Sequence, residues 1–253
     1  MQALLRELPL HQGLARLFGQ LGGDGFWRAQ VDLLRQLVPL DNALVSLMRS
    51  GQAPRLLADF DFAGAVDMAD YGAGMYLLDP FHQAACAGIA DGLYSLDGLA
   101  PDQFRQSEYY LSYFRHVVGS DELQFLLNHR GAVLSLSLGR QTAFDAAELG
   151  TLLCVRDWVL AAMRRHAELS APEGLVGEPA VGSLGALLER SGVRLSEREE
   201  ATARLILQGF SSKAIARQLG ISPETVKVHR RNLYQKLNVG GHAELFALLL
   251  RRG

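Results

Sequence analysis

Between Leu195 and Leu237 the sequence marks helix ends at intervals so short that few folds accommodate them. Ser196 stands three residues ahead of Glu199, the pattern of a reciprocal cap in which each side chain satisfies the other residue's backbone N–H. The Ala- and Leu-rich stretch that follows stops at Gly209. Ser211 precedes Ile215, Ala216 and Leu219 at helical spacing, and Gly220 ends that helix. Ser222 then opens a third helix with Pro223 at its first position, where a missing N–H costs nothing. A fourth helix is expected over Gly241 to Arg251. Two short helices joined by a tight glycine-containing turn are the signature of a helix-turn-helix, so the C-terminal region is expected to be an all-α, four-helix domain.

Charge follows the same division. The chain as a whole carries −2, but Arg194 to Gly253 is net +6 and the first 193 residues are net −8. The tail, not the body, is therefore suited to a polyanion. All three lysines, Lys213, Lys227 and Lys236, lie in the tail. A P-loop, a Schiff-base lysine or a phosphoacceptor receiver needs a lysine that the first 212 residues do not have.

The third helix separates its faces. Val226, Leu233 and Leu237 form a core stripe, while Lys227, Val228 and Arg231 project from the opposite side with Arg230 beside them. In a major groove, Lys or Arg pairs with guanine O6 and N7, and Val meets a thymine methyl. Ser212, Lys213 and Thr225, at the starts of the second and third helices, are placed to hold phosphates beside backbone N–H groups.

The front of the chain reads as mixed. Strands are expected over Asn42 to Arg49 and Pro54 to Phe60 around a Ser50-Gly51 turn, near Gly92 to Leu96, and over Glu122 to His129 and Ala132 to Leu138 around Arg130-Gly131. Helices are expected from Ala65 to Leu78, near Ser107 to His116, and from the Asp145/Glu148 capping box to about His166. This order suggests an α/β/α sandwich around a five-stranded antiparallel sheet, GAF- or PAS-like, giving an α+β N-terminal domain. Residues 1–168 would form this domain, 169–183 a Ser-, Pro- and Gly-rich linker, and 184–253 the helical domain, opening with a short helix from Leu184 to Arg190.

Leu195-Ser-Glu-Arg-Glu199, Gly209, Ser212-Lys213, Ile215-Ala216, Leu219, Ile221-Ser222, Thr225-Val226-Lys227-Val-His229, Asn232 and Lys236-Leu237 together resemble the LuxR-type DNA-binding domain. The resemblance implies a homodimer on a two-fold symmetric site in double-stranded DNA, with Lys227, Val228 and Arg231 in the groove and dimer contacts from Leu245, Leu248 and Leu249. The chain departs from the family at Ala214, where an acidic residue is usual, and at Gly240-Gly241-His242, which replaces a polar, arginine-containing turn.

In front of such domains the family carries sensors, and Tyr71, Tyr76, Asp79, Pro80 and Phe81 resemble the Tyr and Asp-Pro region of its autoinducer-binding domains. The family's tryptophan ahead of Asp-Pro has no counterpart, Val66 standing near its place. By this resemblance Asp79 would accept a hydrogen bond from a small-molecule effector, and Ser135 and Ser137, on one strand face, would add polar contacts. Ordinary packing for the tyrosines and a turn or helix-terminus role for Asp79 are equally compatible with the residues. The function expected is a DNA-binding transcription regulator controlled by a bound small molecule; the alternative is a front domain that only dimerises or meets a protein partner.

No local nucleophile, base and oxyanion set argues for an enzyme, and neither a metal site nor a cofactor is expected. Cys86 and Cys154 read as buried thiols in a reducing cytoplasm, and no stretch reads as a membrane span.

Overall fold

The Arg130-Gly131 turn sets the centre of the N-terminal sheet. Both residues take left-handed φ, 49° and 73°, the geometry of a two-residue hairpin turn whose twist matches that of its strands. In the computed structural model, which describes residues 7–62, 71, 74–170 and 193–250, this hairpin joins β4 (Asp121–His129) to β5 (Ala132–Arg140). With β1 (Asn42–Met48), β2 (Arg55–Asp61) and β3 (Gly92–Ser95) they form an antiparallel sheet in the order β2-β1-β5-β4-β3.

The chain divides into two compact units: Met1–Val66, Ala85–Gly98 and Val118–Glu178 in one, and Asp67–Ala84, Leu99–Val117 and Pro179–Gly253 in the other. In the first unit, strand alternation sorts the side chains. Ala43, Val45, Leu47, Leu123, Phe125, Leu127, Leu134, Leu136 and Leu138 lie in one apolar core with α1 (Leu8–Gly19), α2 (Phe26–Leu37) and the long C-terminal helix of the unit. The other sheet face carries Ser46, Glu122, Gln124, Ser135 and Ser137, and beyond them Met48, Leu126 and Val133, which pack with Ala85 near the end of α3 (Pro80–Cys86).

The long helix is α4 (Ala146–Leu169), opened by the expected capping box: Asp145 accepts from the Ala147 and Glu148 N–H groups, each at 2.8 Å, and Glu148 accepts from the Asp145 N–H at 2.9 Å. Leu152, Val159 and Met163 face the core at helical spacing. Leu153 and Cys154, in the same apolar run, therefore point outward. Cys86, the last residue of α3, is exposed too, so the expectation of two buried thiols is corrected: an apolar run on a one-sided helix still turns residues to solvent.

The helix expected from Ala65 to Leu78 lies largely outside the described residues; its described end, Met75–Leu78, is a 3-10 turn. Asp79 is extended, at φ −71° and ψ 121°, as the residue before proline should be. Pro80 then starts a helix rather than ending one, because proline is tolerated in a first turn. The segment around Tyr110–Phe114 is helical as expected but wound in the wider π form. It packs Phe104, Tyr109, Tyr110, Tyr113 and Phe114 as one buried aromatic group. The expected linker, past Ser170, and the Leu184–Arg190 helix lie outside the described residues.

The helical bundle of the second unit comprises α5 (Glu197–Leu207), α6 (Ser212–Leu219), α7 (Pro223–Leu237) and α8 (His242–Leu250). Val226, Leu233 and Leu237 of α7 are buried, a stripe worth about 1.5–3 kcal/mol per side chain against exposure. Leu245 of α8 is also fully buried inside the chain, which corrects its assignment as a dimer contact; its side chain is already spent on this core.

Candidate nucleic-acid interface

The interface is built by caps. Gly220 takes φ 65° and ψ 35°, a left-handed conformation that ends α6 and turns the chain within two residues into α7. The Ser211 hydroxyl accepts from the Ala214 N–H at 3.2 Å and starts α6; the Ser222 hydroxyl accepts from the Thr225 N–H at 3.0 Å and starts α7. Helix starts of this kind expose backbone N–H groups with a partial positive charge. Ser212 and Lys213 lie in the first turn of α6, and Lys213 is exposed. The Thr225 N–H serves the cap, and its hydroxyl lies 2.8 Å from that of Ser222, where either oxygen could be the donor.

On α7, Lys227, Val228 and Arg231 are exposed on the side away from Val226, Leu233 and Leu237, and Val228 is 43% exposed although apolar. Lys227 Nζ donates to Glu224 at 2.8 Å, but both side chains are largely exposed, so the pair contributes at most about 1 kcal/mol and yields readily to a stronger acceptor. Glu199 is buried at the base of the bundle, where Lys236 donates to it at 2.6 Å and ties α7 to α5.

A groove of about 780 Å³ continues along α7 towards α8, lined by Lys227, Arg230, Arg231, Tyr234, Asn238 and His242 among others. The Tyr234 hydroxyl is buried there without a hydrogen-bond partner among the described residues. Burial pushes its pKa up against the pull of Arg230. Sequence reasoning missed Tyr234, Asn238 and His242. The signal was present for the first two, which follow Arg230 at intervals of four on one helical stripe.

The residues singled out in the N-terminal half fall into two groups. In the second unit, the Tyr71 hydroxyl donates to Asp79 Oδ2 at 2.6 Å and the Phe81 N–H donates to Oδ1 at 2.8 Å. Burial raises the Asp79 pKa, with these two bonds and one from the His82 backbone opposing. The Tyr76 ring sits edge-on to both Tyr71 and His82, and burial holds His82 neutral, its pKa lowered to about 4. In the first unit, Ser135 donates to Gln124 Oε1 at 2.6 Å, Gln124 Nε2 donates to Glu122 at 2.7 Å, and Ser137 donates to the same Glu122 oxygen. Glu122 and Gln124 were not foreseen, although two polar residues alternating with Leu123 and Phe125 on a strand mark a polar sheet face.

Residues 193–249 match the family model described as bacterial regulatory proteins, luxR family. An HTH-type transcriptional regulator described from the exeN 3'region of Aeromonas salmonicida is 36% identical over 184 residues, covering 68% of this chain and 93% of that protein. The transcriptional regulatory protein UhpA of Escherichia coli is 49% identical over 51 residues, covering 20% of this chain and 26% of its own length. Among solved structures, the VqsR LBD domain from Pseudomonas aeruginosa aligns with a TM-score of 0.60 at 30% identity, covering 65% of this chain and 100% of that one. The Aeromonas and Escherichia relatives are named as transcriptional regulators, and the long match to the Aeromonas protein spans well beyond the helix-turn-helix. The chain belongs to the luxR family of bacterial transcriptional regulators.

Proposed function

We propose that this regulator binds a two-fold symmetric DNA site as a homodimer in the cytoplasm, under the control of a small molecule held by its N-terminal domain. Residues 184–253 are the DNA-binding domain, 169–183 the linker, and 1–168 the sensor and dimerisation domain. The observation that carries the DNA reading is the exposure of Lys227, Val228 and Arg231 on one side of a helix that a left-handed Gly220 presents after a tight turn. Arg230 flanks that face, and Ser212, Lys213 and the Thr225 side chain serve the backbone phosphates.

The effector reading rests on polar groups held in defined hydrogen bonds: in one unit buried Asp79 with half-buried Tyr71, and in the other buried Ser135 and Ser137 with Gln124 and Glu122. A few placed polar groups among apolar neighbours are what small-molecule sites use for orientation. One observation favours a structural role for Asp79 instead, since each of its oxygens already accepts a bond and one of them caps the start of α3. The first test is selection of binding sequences from random duplexes with the full chain. The selected duplex is expected to bind at least about tenfold more tightly than a scrambled one, a difference of about 1.4 kcal/mol. Equal affinity for both would contradict a sequence-specific regulator. The effector is tested by melting the full chain against a metabolite library, where a ligand of the native state raises the melting temperature.

A further inference from the structure

The start of α6 already has an acidic partner. Asp102, in the same compact unit, accepts a hydrogen bond from the Ser211 N–H at 3.0 Å through Oδ1. One residue on, the Gln103 N–H donates to the Gly209 carbonyl at 2.9 Å. Gly209 takes φ +91°, and a Cβ on it would lie 2.7 Å from the Phe104 Cα, so a residue with a side chain would push the two backbones apart. The contact is thus made by a carboxylate, a backbone hydrogen bond and a close approach that a glycine permits. Ser211 holds the Asp102 carboxyl below the usual carboxylate range, with Arg217 adding to the effect. Further along the same segment, Glu108 acts electrostatically on His242, a lining residue of the basic groove.

An anion at the start of α6 is what a DNA complex supplies, because a helix N-terminus accepts a phosphate by the same N–H groups and the same dipole. Asp102 stands at that position in the chain without DNA. The Asp102 and Glu108 carboxylates both belong to the one stretch of 99–117.

We propose that the segment carrying Asp102 is a built-in competitor for the DNA backbone, with Asp102 holding the phosphate position at the start of α6 until the segment is displaced. The inference rests on the DNA-binding reading above. Binding then costs the release of Asp102 in addition to the ordinary cost of association, and any change that draws 99–117 away raises DNA affinity.

The test uses the full chain and a random-sequence duplex, since a phosphate contact does not depend on sequence. Asp102→Asn keeps the shape and removes the charge. It is expected to bind about fivefold more tightly than the unaltered chain at low salt, with the advantage shrinking as salt screens the Asp102 contact. Lys213→Ala is expected to weaken binding in both backgrounds. If Asp102→Asn binds no more tightly while Lys213→Ala still weakens binding, the competitor is overturned and the DNA reading stands; if no variant binds any duplex, both are overturned. Hydrogen exchange at the Ser211 amide gives a readout that needs no variant. Protection is expected in the free chain, and exchange at the rate of an open N–H would overturn the contact.

Discussion

His166 couples packing to pH in a single side chain. Its ring stacks on Phe26 at 4.0 Å and 6°, and its Nδ1 accepts the Gly22 N–H at 3.1 Å, which requires the neutral ring with the proton on Nε2. Burial lowers its pKa from 6.5 to about 4, as it does for His82. The unfolded chain therefore binds protons that the folded chain refuses, so stability is full above pH 6.5 and falls as pH drops from 6.5 towards 4. The melting temperature should fall across that window, and His166→Phe, which keeps a stacked ring, should make the fall shallower. An unchanged slope would remove His166 from the account. Asp79 is the second residue whose partners define its role. Asp79→Ala takes the acceptor from both the Tyr71 hydroxyl and the Phe81 N–H, and should cost about 1–3 kcal/mol in denaturant unfolding without any ligand present. A loss seen only with ligand bound would assign Asp79 to the pocket alone.

Among the elements, the caps of α5, α6 and α7 and the capping box of α4 were legible in the sequence because each is a local pattern: a Ser or Asp at the start, joined by a Glu three residues on in α4 and α5, a proline at the first position of α7, and a glycine after α5 and α6. What was not legible depends on distance along the chain. Lys236 meets Glu199 across 37 residues, and Glu122 and Gln124 meet Ser137 and Ser135 only once β4 and β5 pair. The exposure of Cys86 and Cys154 was misread because apolar neighbours in sequence say nothing about which face a helix buries. Gly220→Ala meets no atom within 4 Å, so its cost is the left-handed backbone alone, about 1 kcal/mol from the melting of the full chain. A larger loss would mean packing the structure does not show. Burial raises the Glu199 pKa, but hydrogen bonds from Lys236 and Ser196 outweigh it and the net shift is downward. A depressed carboxylate gives stability that is present above its unfolded value of 4.5 and lost as pH falls through the folded one. Glu199→Gln should therefore lower stability at neutral pH by about 1–2 kcal/mol and flatten the acid limb of the helical unit. An unchanged acid limb would contradict the pair.

At the scale of the whole molecule, the basic tail and acidic body divide the work: +6 over Arg194–Gly253 draws the chain to DNA, and −8 over the remainder does not. In the proposed function, specificity rests on the few side chains of α7 offered to base edges, while Lys213 and the helix starts set register on the backbone. That division is tested by base-resolved selection from random duplexes with the unaltered chain, Arg231→Ala and Lys213→Ala side by side. Arg231→Ala is expected to lose preference at one or two positions in each half-site, at a cost of about 1–3 kcal/mol on the preferred sequence, whereas Lys213→Ala is expected to keep every preference and weaken binding to all sequences alike. An Arg231→Ala protein that selects the same bases at every position as the unaltered chain would contradict that division.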